Sequence, residues 1–376
     1  MTVMSQHDAD ALKSYAEASG FRLGWAKFRK HKLAVISMYI VGLLYFLAIF
    51  AEFMSPYEHS DINRRHVLAP PQAIHVIDAD GSLTWPYVRE LKGKRDPVTR
   101  RLSYVEDVET KHTIRLFAPS EPYEMWGLIP LETRFIGVAE PRRGVTLFVL
   151  GTDKLGRDVL SRIIHGARVS LSIGLVGVAL SFVIGIILGG MSGYFGGWID
   201  TAVQRTIDFL QSLPTIPLWM GLAAAVPPGQ DPIITYLMIT VILSIIGWTG
   251  IARVVRGRFL ALREEDFVLA ARISGASEMR IILRHMVPSF ASHIIASLTL
   301  SIPEMILAET ALSFLGLGLQ APAVSWGVLL KDAQSLQVIS QAPWLLIPGL
   351  AVVITVLAFN FFGDGLRDAS DPYGKT

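Results

Sequence analysis

The chain contains no cysteine, which excludes disulfides, thiolate metal sites and cysteine nucleophiles. It is also short of charge. Only 18% of its 376 residues are Asp, Glu, Lys or Arg, against about a quarter in an ordinary soluble domain. The formal net charge of +2 conceals long stretches with no charge and short ones dense with it. A phosphate-binding loop is missing too. Its G-x-x-x-x-G-K-[ST] pattern is approached only by Gly374-Lys375-Thr376, and position 369, where the first glycine belongs, is Ala. Nucleotide hydrolysis by this polypeptide is not expected, and no catalytic or metal-binding residue set stands out.

What the chain has instead is hydrophobicity, at 51% of residues and a mean hydropathy of +0.44. Apolar runs occupy Leu33–Met54, Val169–Met191, Leu213–Val226, Tyr236–Ile251, Ser289–Leu312 and Leu345–Phe362. About 20 such residues cross a bilayer as a helix. The pattern predicts an all-α integral membrane protein of six transmembrane helices. The third and fourth runs are short, and Pro214, Pro217, Pro227 and Pro228 interrupt that region. Proline at membrane depth can also mark a broken helix.

Residues 1–32 read as a polar N-terminal tail and 33–54 as the first span. No small-residue cleavage site closes that span, so it is expected to be an uncleaved anchor. Lys27, Arg29, Lys30 and Lys32 precede it and place the tail in the cytoplasm by the positive-inside rule. Six crossings return the C-terminus to the same side. The same count puts 252–288 in the cytoplasm, with Arg253, Arg256, Arg258, Arg263, Arg272, Arg280 and Arg284. The expected outside loops after the third and fifth runs carry almost no Lys or Arg, Lys331 excepted.

The long outer segment 55–150 reads as a small subdomain. Pro70-Pro71, Asp80-Gly81 and Asp96-Pro97 mark turns, and the partial alternation of SYVEDVETKHTIRLF (Ser103–Phe117) suggests short strands. It is either a packed cap without chemistry or a docking surface for a substrate-delivery protein.

VLAARISGASEMRIILRHMVP (Val268–Pro288) is arginine-rich between apolar runs. Asp266 suits a helix first turn. Phe267, Ala270, Ala271 and Ser274 then share one small, apolar face. Gly275 stops the helix at a position where a left-handed backbone costs no Cβ clash. Ser277 caps a second short helix, and Pro288 opens the fifth span. The result is a helix–Gly–helix element that either only fixes topology or docks another protein.

Glu304 and Glu309 lie in the fifth run, where carboxylates are costly and usually face the bundle interior. Both are candidates for a pathway or gate. Gly190-Met191-Ser192-Gly193 has the form used by intramembrane serine proteases, with His293 as a distant partner, which gives an enzyme alternative. A stand-alone secondary transporter is a further alternative, against which the hydropathy pattern shows no clear inverted repeat.

Several of these stretches resemble one family. ARVVRGRFLALREEDFVLAARISGASEMRIILRHMVP looks like the cytoplasmic loop of ABC importer permeases of the dipeptide/oligopeptide/nickel subfamily, whose pattern is E-A-A, three residues, G, nine residues, I-x-L-P. Ala270-Ala271, Gly275 and Pro288 keep that spacing, while Leu269 stands in place of the Glu and His285 in place of the first Ile. GTDKLGRDVLSRIIHGARVSL (Gly151–Leu171), GYFGGWIDTAVQRTIDFLQSLPTIPL and ETALSFLGLGLQAPAVSWGVLL (Glu309–Leu330) match as well. The likeness covers the first span and residues 151–376. The segment from about Ser55 to Leu150 is longer than expected and lies outside it.

The resemblance is to the second, C-type, permease of a pair. It implies a type I ABC importer permease fold in the inner membrane of a bacterial cell, with a core at 151–376 and a coupling loop at 252–288. It further implies a homologous permease partner, two cytoplasmic ATPase subunits that carry the ATP and Mg, and an extracytoplasmic binding protein. The chain itself would bind no cofactor and no nucleic acid. The coupling residues carried over are Asp266, Ala270, Ala271, Gly275, Ala276, Ser277, Arg280, Arg284, His285 and Pro288. Related members carry peptides, nickel, opines or oligosaccharides, and the long outer segment points weakly to an oligosaccharide.

Overall fold

The computed structural model describes residues 20–370 apart from 79–80, 96, 98–101, 140–144 and 228, with the side chains of 20–23, 292–293, 337 and 370 left aside. Gly374-Lys375-Thr376, the first part of the expected N-terminal tail, Asp80, Asp96, Pro228 and the His293 side chain therefore lie outside the described residues. In chain order the main helices are α1 Gly20–Lys30, α2 Lys32–Ile49, α3 Val159–Phe195, α4 Gly197–Ser212, α5 Thr215–Ala224, α6 Pro232–Leu262, α7 Asp266–Ile273, α8 Ala291–Phe314, α9 Trp326–Asp332, α10 Leu336–Gln341 and α11 Ile347–Ser370. A one-turn helix, Ala51–Met54, continues α2.

Among the described residues five helices are long and apolar enough to cross a membrane: α2, α3, α6, α8 and α11 with the turn before it. The third apolar run differs from a single span. It begins at a break, Leu213 and Pro214, and its helical part is only the ten-residue α5, with α4 ending just before it; proline can neither donate to the helix ladder nor let its predecessor stay helical. The two helices together retrace α6. Asp200 bonds Arg256, Asp208 bonds Arg253 and Gln211 bonds Thr249, while α5 touches α6 and its Ala223 joins the apolar cluster of Ile239 and Leu243. The third run is thus a short apolar helix that follows a break, not a membrane-length helix of its own.

The helices also outrun their apolar runs. At about 1.5 Å per residue, the 37 residues of α3 extend well beyond a hydrocarbon core of about 30 Å. Hydropathy sees only the part at lipid depth. The first ten residues of α3 are held instead by capping: Asp158 accepts from Ser161 N at 2.7 Å. Helix α1 differs from the expected tail as well. Phe28 is buried against α11, edge-on to Phe362 at 5.8 Å.

The central contact is α3 on α6. Gly185, Gly189 and Gly193 recur every fourth residue on the α3 face turned to α6, the small-residue spacing that lets helix backbones approach. A Cβ at Gly189 would overlap the Ala252 backbone, and one at Gly193 would lie 2.6 Å from Phe259 Cβ. The main core continues through Leu171, Leu243, Ile306, Trp326 and Phe359.

The outer segment is a β-rich insert, and the strands expected over Ser103–Phe117 are present. The antiparallel order is β1 His75–Ile77, β2 Leu83–Val88, β5 His112–Met125, β6 Ile129–Val138, and β3 Leu91–Arg95 pairs with β4 Leu102–Glu106. Val88, Ile114, Val138 and Leu147 form its small core. Arg134 of β6 is buried and donates from Nη1 to Glu52 O at 3.0 Å and Ser55 O at 3.1 Å, which ties the sheet to the end of α2.

Candidate functional site

Two ends of the bundle carry chemistry, and α7 marks one of them. Acidic residues at and before Asp266 suit the start of this helix. It ends in a complete Schellman arrangement: Gly275 N donates to Arg272 O at 3.0 Å and Ala276 N to Ala271 O at 3.1 Å. Gly275 sits at φ +78°, the left-handed conformation expected of it. Ser277 departs from expectation. It occupies the N-cap position of the next turn, but its side chain makes no cap bond. That turn passes into a π-helical segment, Ile281–Met286. Pro288 does not open the span either. It sits in a further turn, Val287–Ser289, and the break comes at Phe290, before Ala291 starts α8.

Burial separates the two faces of α7. Val268 is fully buried among Phe259, Ile281, Ile282 and Met286, with Ala271 and Ala276 packed at the edge. Burying such a side chain stabilises its seat by roughly 1.5–3 kcal/mol. Arg272 adds a tether. Its Nη2 donates to Tyr194 OH of α3 at 3.3 Å, and its guanidinium lies 5.4 Å from that ring's centre. The small face expected of Phe267, Ala270, Ala271 and Ser274 is therefore split, because Ala271 turns toward the body while the other three are exposed.

The open face is larger and more apolar than the sequence suggested. Phe267 and Leu269 are exposed, Ile273 is 88% exposed, and Met279 and Leu283 continue the patch. Asp266, Ala270, Ser277, Arg280 and Arg284 share this open surface, with His285 half-buried. Ile273 was missed because nothing marks it locally. With Val268 facing inward, however, a step of five residues carries Ile273 to the opposite side. The arginines divide in the same way. Arg256 binds Asp200 through two bonds of 2.5 and 2.6 Å and Arg253 binds Asp208 at 2.6 Å. Among the described residues Arg258, Arg280 and Arg284 make no such pair.

Ser192 is not poised for nucleophilic chemistry. It is fully buried, its hydroxyl donates to Asp200, and it accepts from Gln204 Nε2 at 3.2 Å. The Gly-rich motif closes the α3–α4 turn.

The two carboxylates of α8 occupy opposite environments. Glu309 is fully buried, so it lines no open surface. It accepts from Ser313 Oγ at 2.8 Å and from Ser170 Oγ of α3 at 3.1 Å. Ser170 Oγ in turn accepts from Trp326 N at 3.1 Å and Ser313 Oγ from Leu319 N at 3.0 Å. The carboxylate thereby joins α3, α8, the following loop and α9. Glu304 is exposed, and no partner is found for it among the described residues. Neither lines the cleft of about 510 Å³ at the end opposite α7, which is formed by residues including Ala224, Gln230, Thr235, Gln320 and Pro322.

The Gly151–Asp158 motif is a charged clasp at that same end. Arg162 is buried and bonds Asp153 at 2.5 Å, Arg157 bonds Asp153 at 2.7 Å, and Lys154 reaches Asp332 of α9 at 2.7 Å. His59 lies beside His165, ring centres 4.9 Å apart and the rings tilted by 39°. Burial, with Arg162 and Arg157 nearby, lowers the His59 pKa.

A family profile described as "Binding-protein-dependent transport system inner membrane component" matches residues 182–373, and one for the N-terminal transmembrane domain of oligopeptide transport permease C matches 19–71. The chain is 43% identical to the dipeptide transport system permease protein DppC of Bacillus subtilis over 59% of this chain and 68% of that one. It is 31% identical to the oligopeptide transport system permease protein OppC of Bacillus subtilis over 92% of this chain and 87% of that one. It belongs to the binding-protein-dependent permease family.

The chain is thus a multi-pass, non-catalytic permease subunit of an ABC importer with the type I permease fold, in a family that works with ATPase and binding-protein partners. A permease of the methionine transporter MetNI, solved in an inward-facing form, is 20% identical with a TM-score of 0.42 over 56% of this chain and 97% of that one. The two family profiles leave residues 72–181 unmatched, which includes most of the β-rich segment.

Proposed function

We propose that this permease forms one half of a translocation pathway for oligopeptides, with the open face of α7 as the seat of a partner ATPase. The observation that carries the docking reading is the division of α7 into a buried anchor, Val268, and an exposed apolar face centred on Ile273. A protein surface with this much exposed apolar area marks an interaction site. Arg280 and Arg284 at its rim suit an acidic border on the partner.

In this reading α7 and both termini lie in the cytoplasm of a bacterial cell, and the insert faces outward. A second, homologous permease completes the pathway. Two ATPase subunits bind ATP and Mg and move the permeases through α7, while a binding protein delivers substrate to the insert side. Asp266, Ala270, Gly275, Ser277 and Ile273 meet the ATPase, while Ala271 and Ala276 keep the element seated. The oligopeptide reading is supported by the match of residues 19–71 to the N-terminal domain of oligopeptide transport permease C and by the alignment with an oligopeptide permease over 92% of the chain.

Ile273→Glu is expected to leave insertion intact and to abolish copurification of the ATPase subunits. Undiminished copurification would sink the docking reading. For the substrate, the reconstituted complex is expected to hydrolyse ATP faster when its binding protein carries peptides longer than two residues. Stimulation by a loaded oligosaccharide, nickel or opine instead would overturn the peptide assignment.

A further inference from the structure

The tip of the β5–β6 hairpin points back at the membrane. Its turn, Trp126–Leu128, carries two successive left-handed residues, Trp126 at φ +58° and Gly127 at φ +67°. A bulky residue is uncommon there, and this one is fixed from outside the hairpin. Trp126 Nε1 donates to Ile49 O at 2.7 Å. Ile49 is the last residue of α2, whose final carbonyls lack helical partners. The Trp126 ring also lies 5.7 Å from that of Phe50, which lies 4.9 Å from Phe46.

The same level is a charge boundary. Arg168 Nη2 donates to Ile49 O at 2.9 Å, and Arg168 holds Glu52 at 2.6 Å. On the helix side of this plane α2 presents an apolar face, with Phe46 47% and Ile49 49% exposed, as lipid contact requires. On the hairpin side Trp126 is 45%, Leu128 79% and Ile129 42% exposed. The exposed tip is thus continuous with the lipid-facing stripe of α2. It combines an amphipathic ring at the boundary with two aliphatic side chains.

We infer that this hairpin tip is a membrane anchor, with Trp126 at the headgroup level and Leu128 and Ile129 in the upper acyl region of the same leaflet. The occupant of this surface is lipid. Anchoring at the tip fixes one end of the sheet to the bilayer while the opposite end of β5 stands free. That far end, at His112, is about 40 Å away at the usual strand rise of about 3.3 Å per residue, and exposed Val108 lies in the turn just before it. Glu124, exposed beside the turn, limits the depth, since a carboxylate stays out of the acyl region.

The absence of cysteine makes the test direct. Leu128→Cys, Ile129→Cys and, as the far-end reference, Val108→Cys are spin-labelled in the assembled transporter, its other subunits free of accessible cysteine, in phosphatidylcholine nanodiscs. Collisions with dissolved oxygen, which concentrates in lipid, are compared with collisions with a water-soluble nickel chelate. Oxygen is expected to dominate several-fold at 128 and 129 and the chelate at 108. Two results would overturn the anchor: chelate dominance at 128 and 129, which puts the tip in water, or shielding from both reagents, which puts it under another protein.

Discussion

Arg272 of α7 donates to Tyr194 OH at the end of α3, 3.3 Å away, and stacks over the same ring. This pair joins the candidate ATPase seat to α3 through a polar contact added to the apolar cluster that Val268 and Tyr194 share. A force applied to α7 therefore reaches α3 through a side chain that can be removed without unseating the helix. Arg272→Ala is expected to leave ATPase binding in place and to lower substrate moved per ATP hydrolysed in proteoliposomes, with Tyr194→Phe milder because the ring remains. An unchanged ratio in Arg272→Ala would remove this link from the mechanism.

Glu309 ties three helices and a loop through serine hydroxyls. Glu309→Leu leaves those hydroxyls without their acceptor, at a cost of about 1–3 kcal/mol for each buried polar group left unpaired. Glu309→Gln keeps an acceptor and costs less. Thermal unfolding of the purified transporter should rank wild type, Gln and Leu in falling stability. If Gln retains the fold but loses transport as fully as Leu, the charge itself acts in transport and the packing account is incomplete.

The α3–α6 contact admits a sharp comparison. Gly189 faces the Ala252 backbone, whereas Gly250 on α6 has open space around it. Gly189→Leu has no flexible neighbour to displace, and overpacking of this kind typically costs about 1–3 kcal/mol or more. Size-exclusion profiles of detergent extracts should show loss of folded protein for Gly189→Leu and a normal peak for Gly250→Leu. Equal behaviour of the two would contradict the close approach.

His59 gives a pH dependence. The pKa of His59 is lowered by burial, with Arg162 and Arg157 opposing its charge and Glu58 and Asp61 favouring it. The unfolded chain takes up its proton first on acidification, near the ordinary value of about 6.5. The stability tied to neutral His59 is therefore complete above that pH and falls as the pH drops from there to the lowered folded value. His59→Asn should flatten the fall in melting temperature between neutral and mildly acidic pH. A parallel fall in wild type and variant would show that His59 does not titrate in this window.

The sequence determined most of what is local. Charge segregation and apolar runs gave the membrane character, and the spacing of Ala270, Ala271, Gly275 and Pro288 marked the element that became α7. Gly275 was legible because only a left-handed position requires it. Periodicity stopped short where helices are held by capping and neighbours rather than by apolarity, as in the first turns of α3 and in α1. It also could not tell a span from a short helix after a break at Pro214.

Which side of a short helix is open was decided only by the tertiary structure. Val268 and Ile273 are both aliphatic and five residues apart, and no local rule says which one Phe259 and Met286 will cover. The carboxylates show the same limit. Glu304 and Glu309 read alike in sequence, yet one is exposed and the other is enclosed by serines from two helices 139 residues apart at the Ser170 contact. The hairpin tip at Trp126 is a third case, since its meaning lies in Ile49, a residue 77 positions away. Sequence fixes what each side chain can do, and long-range packing chooses its partner.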